Sequence, residues 1–327
     1  MRVFITGATG FIGSHLAEAL HNRGYSLRCL VRKSSNLVWI KHLPIEYVYG
    51  DALDGEVLKK AIEGVDYIYH VAGITKARTK EEYFRGNHRS AKILLDAAVE
   101  INHGLKRFVL ISSQTVVGPS ISGKAVDETT PFHPITTYGI TKMEAEKECL
   151  LLTDRLPITI VRPPAVYGPR DKDVFEFFNT MNKGLHPMIG FGDKYVSLIH
   201  VADLVKGIIL AGEHPKSAGQ TYFISSERYY NWNEVGEVTS LVMGKKALRV
   251  KIPVFVVYLV AVFAEIYSAL SRKPALLNFE KIRDIVQDAW TCDIAKAKRE
   301  LGFSESFTLE DGIRDTVKWY REQGWLE

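Results

Sequence analysis

The chain has 327 residues, of which 46% are hydrophobic and 24% charged, so it is long enough to bury a large core. Its formal net charge of +4 comes from basic residues scattered along the chain, which argues against nucleic acid as a partner and would suit an anionic small molecule. Cys29, Cys149 and Cys292 lie far apart in sequence and predict neither a disulfide framework nor a metal site. We therefore expect a cytoplasmic protein with reduced thiols and no signal peptide.

The first half of the chain alternates strand and helix patterns, which is typical of a parallel sheet covered by helices on both faces. Short apolar runs predict strands at 2–6, 26–31, 45–49, 65–71, 108–112 and 158–162. The longer segments between them predict helices at 11–23, 56–63, 87–102 and 138–152. This pattern predicts an α/β fold with a doubly wound parallel sheet of the Rossmann type.

The regular alternation of strands and helices ends after Pro163 and Pro164, where the predicted loops are longer and glycine and proline cluster. We expect a smaller α/β domain, which binds substrate, to begin near this point. The predicted nucleotide-binding domain covers 1–165 together with about 196–212, a strand and a helix that return to it. The predicted substrate domain covers 166–195 and 213–327.

A glycine-rich turn follows the first strand, in the segment Thr6-Gly7-Ala-Thr-Gly10-Phe-Ile-Gly13. Gly7 permits a tight turn, Gly10 leaves space for a pyrophosphate, and Gly13 lets the helix pack closely on the strand. Amides at the N-terminus of that helix would face the phosphates, where the helix dipole favours negative charge. The strand–turn–helix context therefore predicts a dinucleotide site.

Tyr138 and Lys142 lie four residues apart on a predicted helix, so both side chains can reach one cleft. A free phenol has a pKa of about 10 and is a poor acid or base at neutral pH. A neighbouring ammonium, assisted by an oxidised nicotinamide, stabilises the phenolate. We therefore expect Lys142 to lower the pKa of Tyr138.

These features resemble the short-chain dehydrogenase/reductase superfamily, and in particular its extended members. The resemblance rests on the GxxGxxG spacing, on His70-Val-Ala-Gly73 and on the Tyr138–Lys142 pair. It continues through Leu198-Ile-His200-Val-Ala-Asp203 to the C-terminal segment 293–302. It implies an enzyme that binds a nicotinamide cofactor and forms a homodimer.

The resemblance also implies roles for individual residues. Ser113, Tyr138 and Lys142 match the catalytic set, although Ser112 and Ser113 could exchange roles. Asp51 matches an aspartate that accepts from the adenine amino group, or it is a turn residue, and Asn87 either steadies the cofactor or caps a helix. The cofactor-contacting residues so implied are Gly7, Thr9, Gly10, Phe11, Ile12, Gly13, Arg32, Lys33, Asp51, Ala52, Val71, Ala72, Gly73, Asn87, Tyr138, Lys142, Pro163 and Val166.

The end of the second strand indicates which nicotinamide dinucleotide is preferred. Enzymes that use NAD place an acidic residue there to bind the adenosine ribose, whereas this chain has Arg32 and Lys33. Both cations could bind a 2′-phosphate, so NADP is the expected cofactor. NAD stays the alternative if Arg32 only stacks over the adenine.

Two departures from the extended family's patterns bear on the substrate. Dehydratases of the family typically carry an Asp-Glu pair after the catalytic hydroxyl residue, but here Gln114 and Thr115 follow Ser113. Many sugar-nucleotide enzymes hold a diphosphate with an arginine near the position of Val196, and Lys194 lacks the planar fork of an arginine. Dehydration and sugar-nucleotide chemistry are therefore disfavoured.

The segment 252–270 is apolar apart from Glu265, and Arg272-Lys273-Pro274 follows it. The steroid dehydrogenase group of the family has a similar segment that borders substrate or contacts membrane. Pro253 at the first turn favours a buried or substrate-facing helix here. Interfacial membrane contact and a membrane span are the alternatives.

We therefore expect an oxidoreductase that interconverts an alcohol and a ketone on a largely apolar, steroid-like or aromatic substrate. The alternatives are an NAD-dependent sugar-nucleotide epimerase and a non-catalytic protein that senses the cofactor or assists assembly. No metal is expected. The candidate substrate-contacting residues are Thr75, Gln114, Thr115 and His200.

Overall fold

The computed structural model describes residues 1–121, 123–271 and 279–327. Its largest sheet contains seven parallel strands, and the order across the sheet reverses beside the first strand of the chain, where open α/β sheets bind ligands. In spatial order the strands are β3 (Ile45–Tyr49), β2 (Ser26–Val31), β1 (Arg2–Thr6), β4 (Tyr67–His70), β5 (Arg107–Ile111), β6 (Ile158–Arg162) and β10 (Gln220–Phe223).

Helices cover both faces of this sheet and bury its apolar side chains in two separate core clusters. One face is covered by α1 (Phe11–Asn22) and α7 (Val201–Glu213), and the other by α2 (Gly55–Ile62), α4 (Ser90–Ile101) and α5 (Thr137–Leu150). A short helix, α3 (Lys80–Tyr83), precedes α4. The predicted Rossmann-type fold is confirmed, and all six predicted strands are present.

The remaining elements form a smaller unit over the carboxyl edge of the large sheet. Its four-stranded sheet is built around β9 (Tyr195–His200), which pairs with β7 (Ala165–Tyr167), β11 (Tyr229–Asn231) and β13 (Ala289–Trp290). A separate pair consists of β8 (Leu185–Ile189) and β12 (Leu248–Ile252). The helices are α6 (Phe175–Asn182), α8 (Trp232–Met243), α9 (Val254–Ser271), α10 (Phe279–Ile285) and α12 (Leu309–Glu322), whereas α11 (Ala295–Leu301) packs on β10 of the large sheet.

Two strands lie in a different sheet from the one that the sequence predicted. β10 falls in the predicted substrate domain, yet it extends the large sheet by pairing with β6, because Tyr222 and Phe223 are fully buried there. β9 was expected to return to the large domain, but it is the strand with which every other strand of the small sheet pairs. The helix that follows β9, α7, packs on the large sheet as expected.

The apolar segment forms α9, which is not buried on all sides. Val257 and Ala261 pack inward against Ile282, whereas Phe255 and Phe263 are exposed. The prediction that this helix is buried therefore holds for the face with Val257 and Ala261 and is wrong for the face with Phe255 and Phe263. The predicted Arg272-Lys273-Pro274 turn lies outside the described residues. Among the residues that the structure describes, no helix combines the length and apolarity needed to cross a membrane.

A buried ion pair fixes α5 against the sheet. The Glu146 carboxylate accepts hydrogen bonds from Nε and Nη2 of Arg162 at 3.0 and 2.6 Å, and the two side chains are 1% and 6% exposed. The guanidinium also lies 5.4 and 5.6 Å from the ring centres of Phe132 and Phe223. Because charges removed from water need such partners, the pair holds α5 in one position over the end of β6.

We expect Glu146→Gln to destabilise the protein by about 3–5 kcal/mol, because it leaves the Arg162 guanidinium buried without a counter-charge. Urea unfolding followed by circular dichroism measures this change. Glu310→Gln breaks the exposed pair between Arg314 and Glu310 and serves as the control, with an expected loss within about 1 kcal/mol. Equal losses in the two variants would contradict the assignment of Glu146 as a structural anchor.

Candidate active site

A cleft of about 810 Å³ lies at the carboxyl edge of the large sheet, beside the point where the strand order reverses. It is lined by residues that follow β1, β2, β3, β4, β5 and β6. The predicted cofactor residues that line it are Gly7, Thr9, Gly10, Phe11, Ile12, Gly13, Arg32, Asp51, Ala52, Val71, Ala72, Gly73, Tyr138, Lys142, Pro163 and Val166.

The glycine turn has the geometry that a dinucleotide needs. Gly7 has a φ of 77°, and a Cβ at Gly13 would lie 2.1 Å from the Gly7 carbonyl oxygen, so neither position accepts a larger residue without strain. Within the described part of the chain, no side chain caps the N-terminus of α1 at Gly10. Its amides therefore remain available to phosphate oxygens, and these residues fit a dinucleotide.

The predicted adenosine end of the cleft contains both cationic and acidic side chains. Arg32 and Asp51 line it, while Lys33 is exposed and does not. Oδ1 of Asp51 accepts a hydrogen bond from Leu53 N at 2.9 Å, so Asp51 also has the turn role that the sequence left open. Ser35, which sequence reasoning missed, lines the cleft and accepts a hydrogen bond from Arg32 N at 3.0 Å.

Lys142 is buried at the centre of the cleft. Its ammonium donates a hydrogen bond to the carbonyl oxygen of Ile111, at the end of β5, over 2.7 Å. Gly73 leaves space for it, because a Cβ at that position would lie 3.1 Å from Lys142 Nζ. Burial lowers the pKa of Lys142 to about 8, so its charge titrates just above neutral pH.

Tyr138 and Ser113 line the same cleft, at the start of α5 and the end of β5. Burial raises the pKa of Tyr138 to about 12, although the Ser113 hydroxyl opposes the shift. We expected Lys142 to lower the pKa of Tyr138. That expectation is wrong for the protein alone, since the Lys142 ammonium is directed to Ile111 O. Tyr138 thus carries its proton at neutral pH.

Asn87 does not have the helix-capping role that the sequence offered, and it lies against the loop that lines the cleft. It lies inside a π-helical turn, Phe84–Arg89, and it neither caps a helix nor lines the cleft. Its Oδ1 accepts from Ile74 N at 2.7 Å, and its Nδ2 donates to Thr141 Oγ1 at 3.0 Å. Asn87 therefore ties the loop after β4 to α5, and a π-helical turn often marks a functional site.

Of the four candidate substrate residues, only Thr75 lines the cleft. Gln114 is buried in a 3₁₀ turn beneath the edge of the sheet, and the Thr115 hydroxyl is likewise buried. His200 is buried against the ring of Phe307, with ring centres 4.1 Å apart. Gln114, Thr115 and His200 are therefore packed inside the protein. Their positions in the sequence did not show that they would be buried there.

Three carboxylates at or near the cleft were missed by sequence reasoning. Asp171 and Asp173 line it, and burial raises the pKa of Asp171 to about 6. Burial also raises the pKa of Asp284 on α10 to about 7, and the charge of Asp284 contributes to the raised pKa of Tyr138. None of the three stands in a recognisable motif, so no sequence signal pointed to them.

The model of the NAD-dependent epimerase/dehydratase family matches residues 3–225, which is more than half of the chain. A ceramide reductase from Caulobacter vibrioides is 30% identical, with 99% of this chain and 96% of that protein aligned. A 3β-hydroxysteroid dehydrogenase/Δ5→4-isomerase from Mycobacterium tuberculosis is 30% identical, with 98% of this chain and 90% of that protein aligned. A UDP-glucose 4-epimerase structure from Thermotoga maritima superposes with a TM-score of 0.82 at 23% identity, over 99% of both chains.

The lowered pKa of Lys142 predicts that cofactor affinity falls as the pH rises through about 8, because the ammonium then loses its charge. The dissociation constant of NADPH, from fluorescence titration, should be at least ~3-fold higher near pH 9 than near pH 7. Lys142→Met is the control, since it should bind more weakly with a smaller dependence on pH. An affinity of the unaltered protein that does not change over this range would contradict the assignment.

Proposed function

The chain belongs to the NAD-dependent epimerase/dehydratase family, and we propose that it is an oxidoreductase that interconverts an alcohol and a ketone on a largely apolar substrate. The observation that carries this proposal is that Ser113, Tyr138 and Lys142 line one cleft together with the glycine turn. A proton donor, a hydroxyl that holds an oxygen and a buried cation thus surround the same space.

The chemistry follows from the positions of these side chains. A bound nicotinamide supplies or accepts the hydride. Tyr138, protonated at neutral pH, donates its proton to the carbonyl oxygen during reduction and takes it back during oxidation. Ser113 holds the same oxygen by a hydrogen bond, so the reacting atom is fixed before the proton moves. Lys142 would bind the ribose hydroxyls of the bound cofactor through the protons of its ammonium that Ile111 O does not take.

The apolar substrate is supported by what the chain lacks for the other reactions of the family. Elimination needs an acid–base pair after Ser113, but Gln114 and Thr115 stand there, and neither of them lines the cleft. Lys194, the candidate diphosphate ligand, already donates to the carbonyl oxygens of Val286 and Gln287 at 2.9 and 2.8 Å. Two relatives at 30% identity are named for ceramide and for a steroid, and both of these are apolar molecules.

An epimerase of nucleotide sugars is the second candidate, because a UDP-glucose 4-epimerase has the same fold. The two candidates differ in what happens to the cofactor: an epimerase returns it unchanged, whereas an oxidoreductase consumes it. A non-catalytic, cofactor-sensing protein is a third candidate. It would have no need for both Tyr138 and Lys142, which are retained in the cleft.

We also propose NADP(H) as the preferred cofactor and a homodimer as the assembled form. Arg32 lines the adenosine end of the cleft beside the Ser35 hydroxyl, and both can donate hydrogen bonds to a 2′-phosphate. Asp51 lies in the same region, but it already accepts a hydrogen bond from Leu53 N. NAD(H) is the alternative cofactor.

Tyr138→Phe tests the catalytic assignment, because it keeps the ring and removes only the hydroxyl. Turnover of a confirmed substrate should fall by at least ~10²-fold, while the melting temperature and the cofactor affinity change little. Lys142→Met should lower both turnover and cofactor affinity. If Tyr138→Phe kept near-normal turnover, the proposed chemistry would be wrong even though the family is established.

Arg32→Asp tests the cofactor preference. The unaltered protein should bind NADPH more tightly than NADH, and the variant should lose at least ~10-fold in NADPH affinity, because a carboxylate then repels the 2′-phosphate. Lys33→Asp is the matched control, since Lys33 does not line the cleft and the expected change is smaller. Equal NADPH and NADH affinities in the unaltered protein would overturn the preference.

A further inference from the structure

Tyr138 lies in the least constrained part of α5. It is the second residue of the helix, and the amides of a first helical turn have no hydrogen-bond partner within the helix. Lys142 and Glu146, one and two turns further on, are held to the large sheet by Ile111 O and by Arg162. The first turn therefore needs an anchor of its own if the phenol is to keep one position.

The residue that precedes α5 supplies one such anchor. Oγ1 of Thr136 accepts a hydrogen bond from Gly139 N at 3.2 Å, which is an ordinary helix N-cap. This cap leaves Thr137 N, at the start of the helix, to a partner from another element.

Helix α10 of the smaller unit supplies that partner. Oε2 of Glu280 accepts a hydrogen bond from Thr137 N, and Nη1 of Arg283 lies 3.6 Å from Oε1 of Glu280. Each oxygen of the carboxylate thus has its own neighbour. The negative charge also stands at the end of α5 where the helix dipole favours it.

Helix α10 is in turn fixed to the smaller unit. Ile282 is fully buried and packs on Val257 of α9. On another side, Nε1 of Trp290 on β13 donates a hydrogen bond to the carbonyl oxygen of Asp284 at 2.8 Å. These contacts hold Glu280 where it meets α5.

The face of α10 that carries Glu280 is also turned toward the cleft. Asp284 follows Glu280 by four residues, so the two side chains share one face of the helix. Burial is the main cause of the raised pKa of Tyr138 and of Tyr83, and the charge of Asp284 adds to both shifts. The Tyr83 hydroxyl donates to the carbonyl oxygen of Thr75, in the wall of the cleft, at 3.3 Å. Helix α10 therefore lies beside the proton donor.

We propose that Glu280 is a positioning residue for the reaction: by accepting from Thr137 N it holds the first turn of α5, and with it the Tyr138 hydroxyl, in place for the substrate. The inference rests on the proposed function, in which Tyr138 donates the proton. The glycine turn and Lys142 are held by other contacts, so the loss of Glu280 should slow the chemical step and leave cofactor affinity unchanged.

Glu280→Ala tests the proposal, with Glu280→Gln as the conservative variant. Turnover in the NADPH-dependent reduction of hydroxysteroid-like or aromatic ketones should fall at least ~10-fold in Glu280→Ala, because a displaced phenol is poorly aligned with the carbonyl oxygen. The dissociation constant of NADPH, from fluorescence titration, should not change. Glu280→Gln keeps an acceptor oxygen for Thr137 N and should restore most of the turnover.

Thr308→Ala is the matched control. Oγ1 of Thr308 accepts a hydrogen bond from Asp311 N at 3.1 Å and caps α12, which also belongs to the smaller unit, and Thr308 does not line the cleft. Its replacement should lower the melting temperature about as much as Glu280→Ala does, because each variant loses one helix cap. It should leave turnover unchanged, which is also the result that a merely structural role for Glu280 would give.

Hydrogen exchange followed by mass spectrometry adds a measurement that needs no substrate. The peptide containing Thr137 and Tyr138 should exchange about 5-fold faster in Glu280→Ala than in the unaltered protein, and no faster in Thr308→Ala. The proposal is overturned if Glu280→Ala leaves either this exchange or turnover unchanged, if it lowers turnover no more than Thr308→Ala, or if Glu280→Gln is equally impaired. A protein that reduces no ketone would overturn the proposed function instead, and the exchange rates would still show whether Glu280 holds the start of α5.

Discussion

The buried pair between Glu146 and Arg162 is the interaction on which the site depends, because it sets the position of α5 over the sheet. Tyr138, Lys142 and Glu146 follow one another at four-residue intervals, so they form a single stripe on the helix. The same inward face therefore carries the proton donor, the buried ammonium and the structural anchor. A shift of α5 would move the reacting groups and break a buried ion pair at the same time.

Burial, rather than any one neighbour, determines the protonation states in the cleft. It holds the Tyr138 pKa at about 12 and brings the Lys142 pKa to about 8, so at neutral pH both groups carry their protons. This arrangement suits proton donation to a ketone. The reverse reaction requires a phenolate, which positive charge in the occupied cleft would stabilise.

Sequence reasoning succeeded where local pattern decides the structure. The strands of the large sheet, the turn at Gly7 and Gly13 and the Tyr138–Lys142 spacing all depend on neighbours in the chain. It failed where the structure depends on contacts between elements that lie far apart in the sequence. Nothing near Lys142 in sequence shows that Ile111 O accepts its hydrogen bond, and nothing near Gln220–Phe223 shows that this short strand joins the large sheet. The sequence of α9 is apolar on all sides apart from Glu265, so it gave no indication of which side would be exposed.

The central claim is net oxidoreduction of an apolar substrate. Its most direct test is incubation of the protein with NADPH that carries deuterium at the transferable position of the nicotinamide, together with hydroxysteroid-like or aromatic ketones or with UDP-sugars. Mass spectrometry then locates the deuterium, while absorbance follows consumption of the cofactor. We predict that deuterium appears on the carbinol carbon of a product alcohol and that NADPH is consumed in proportion. Epimerisation of a UDP-sugar without net consumption of cofactor, and no label in any apolar alcohol, would contradict the account.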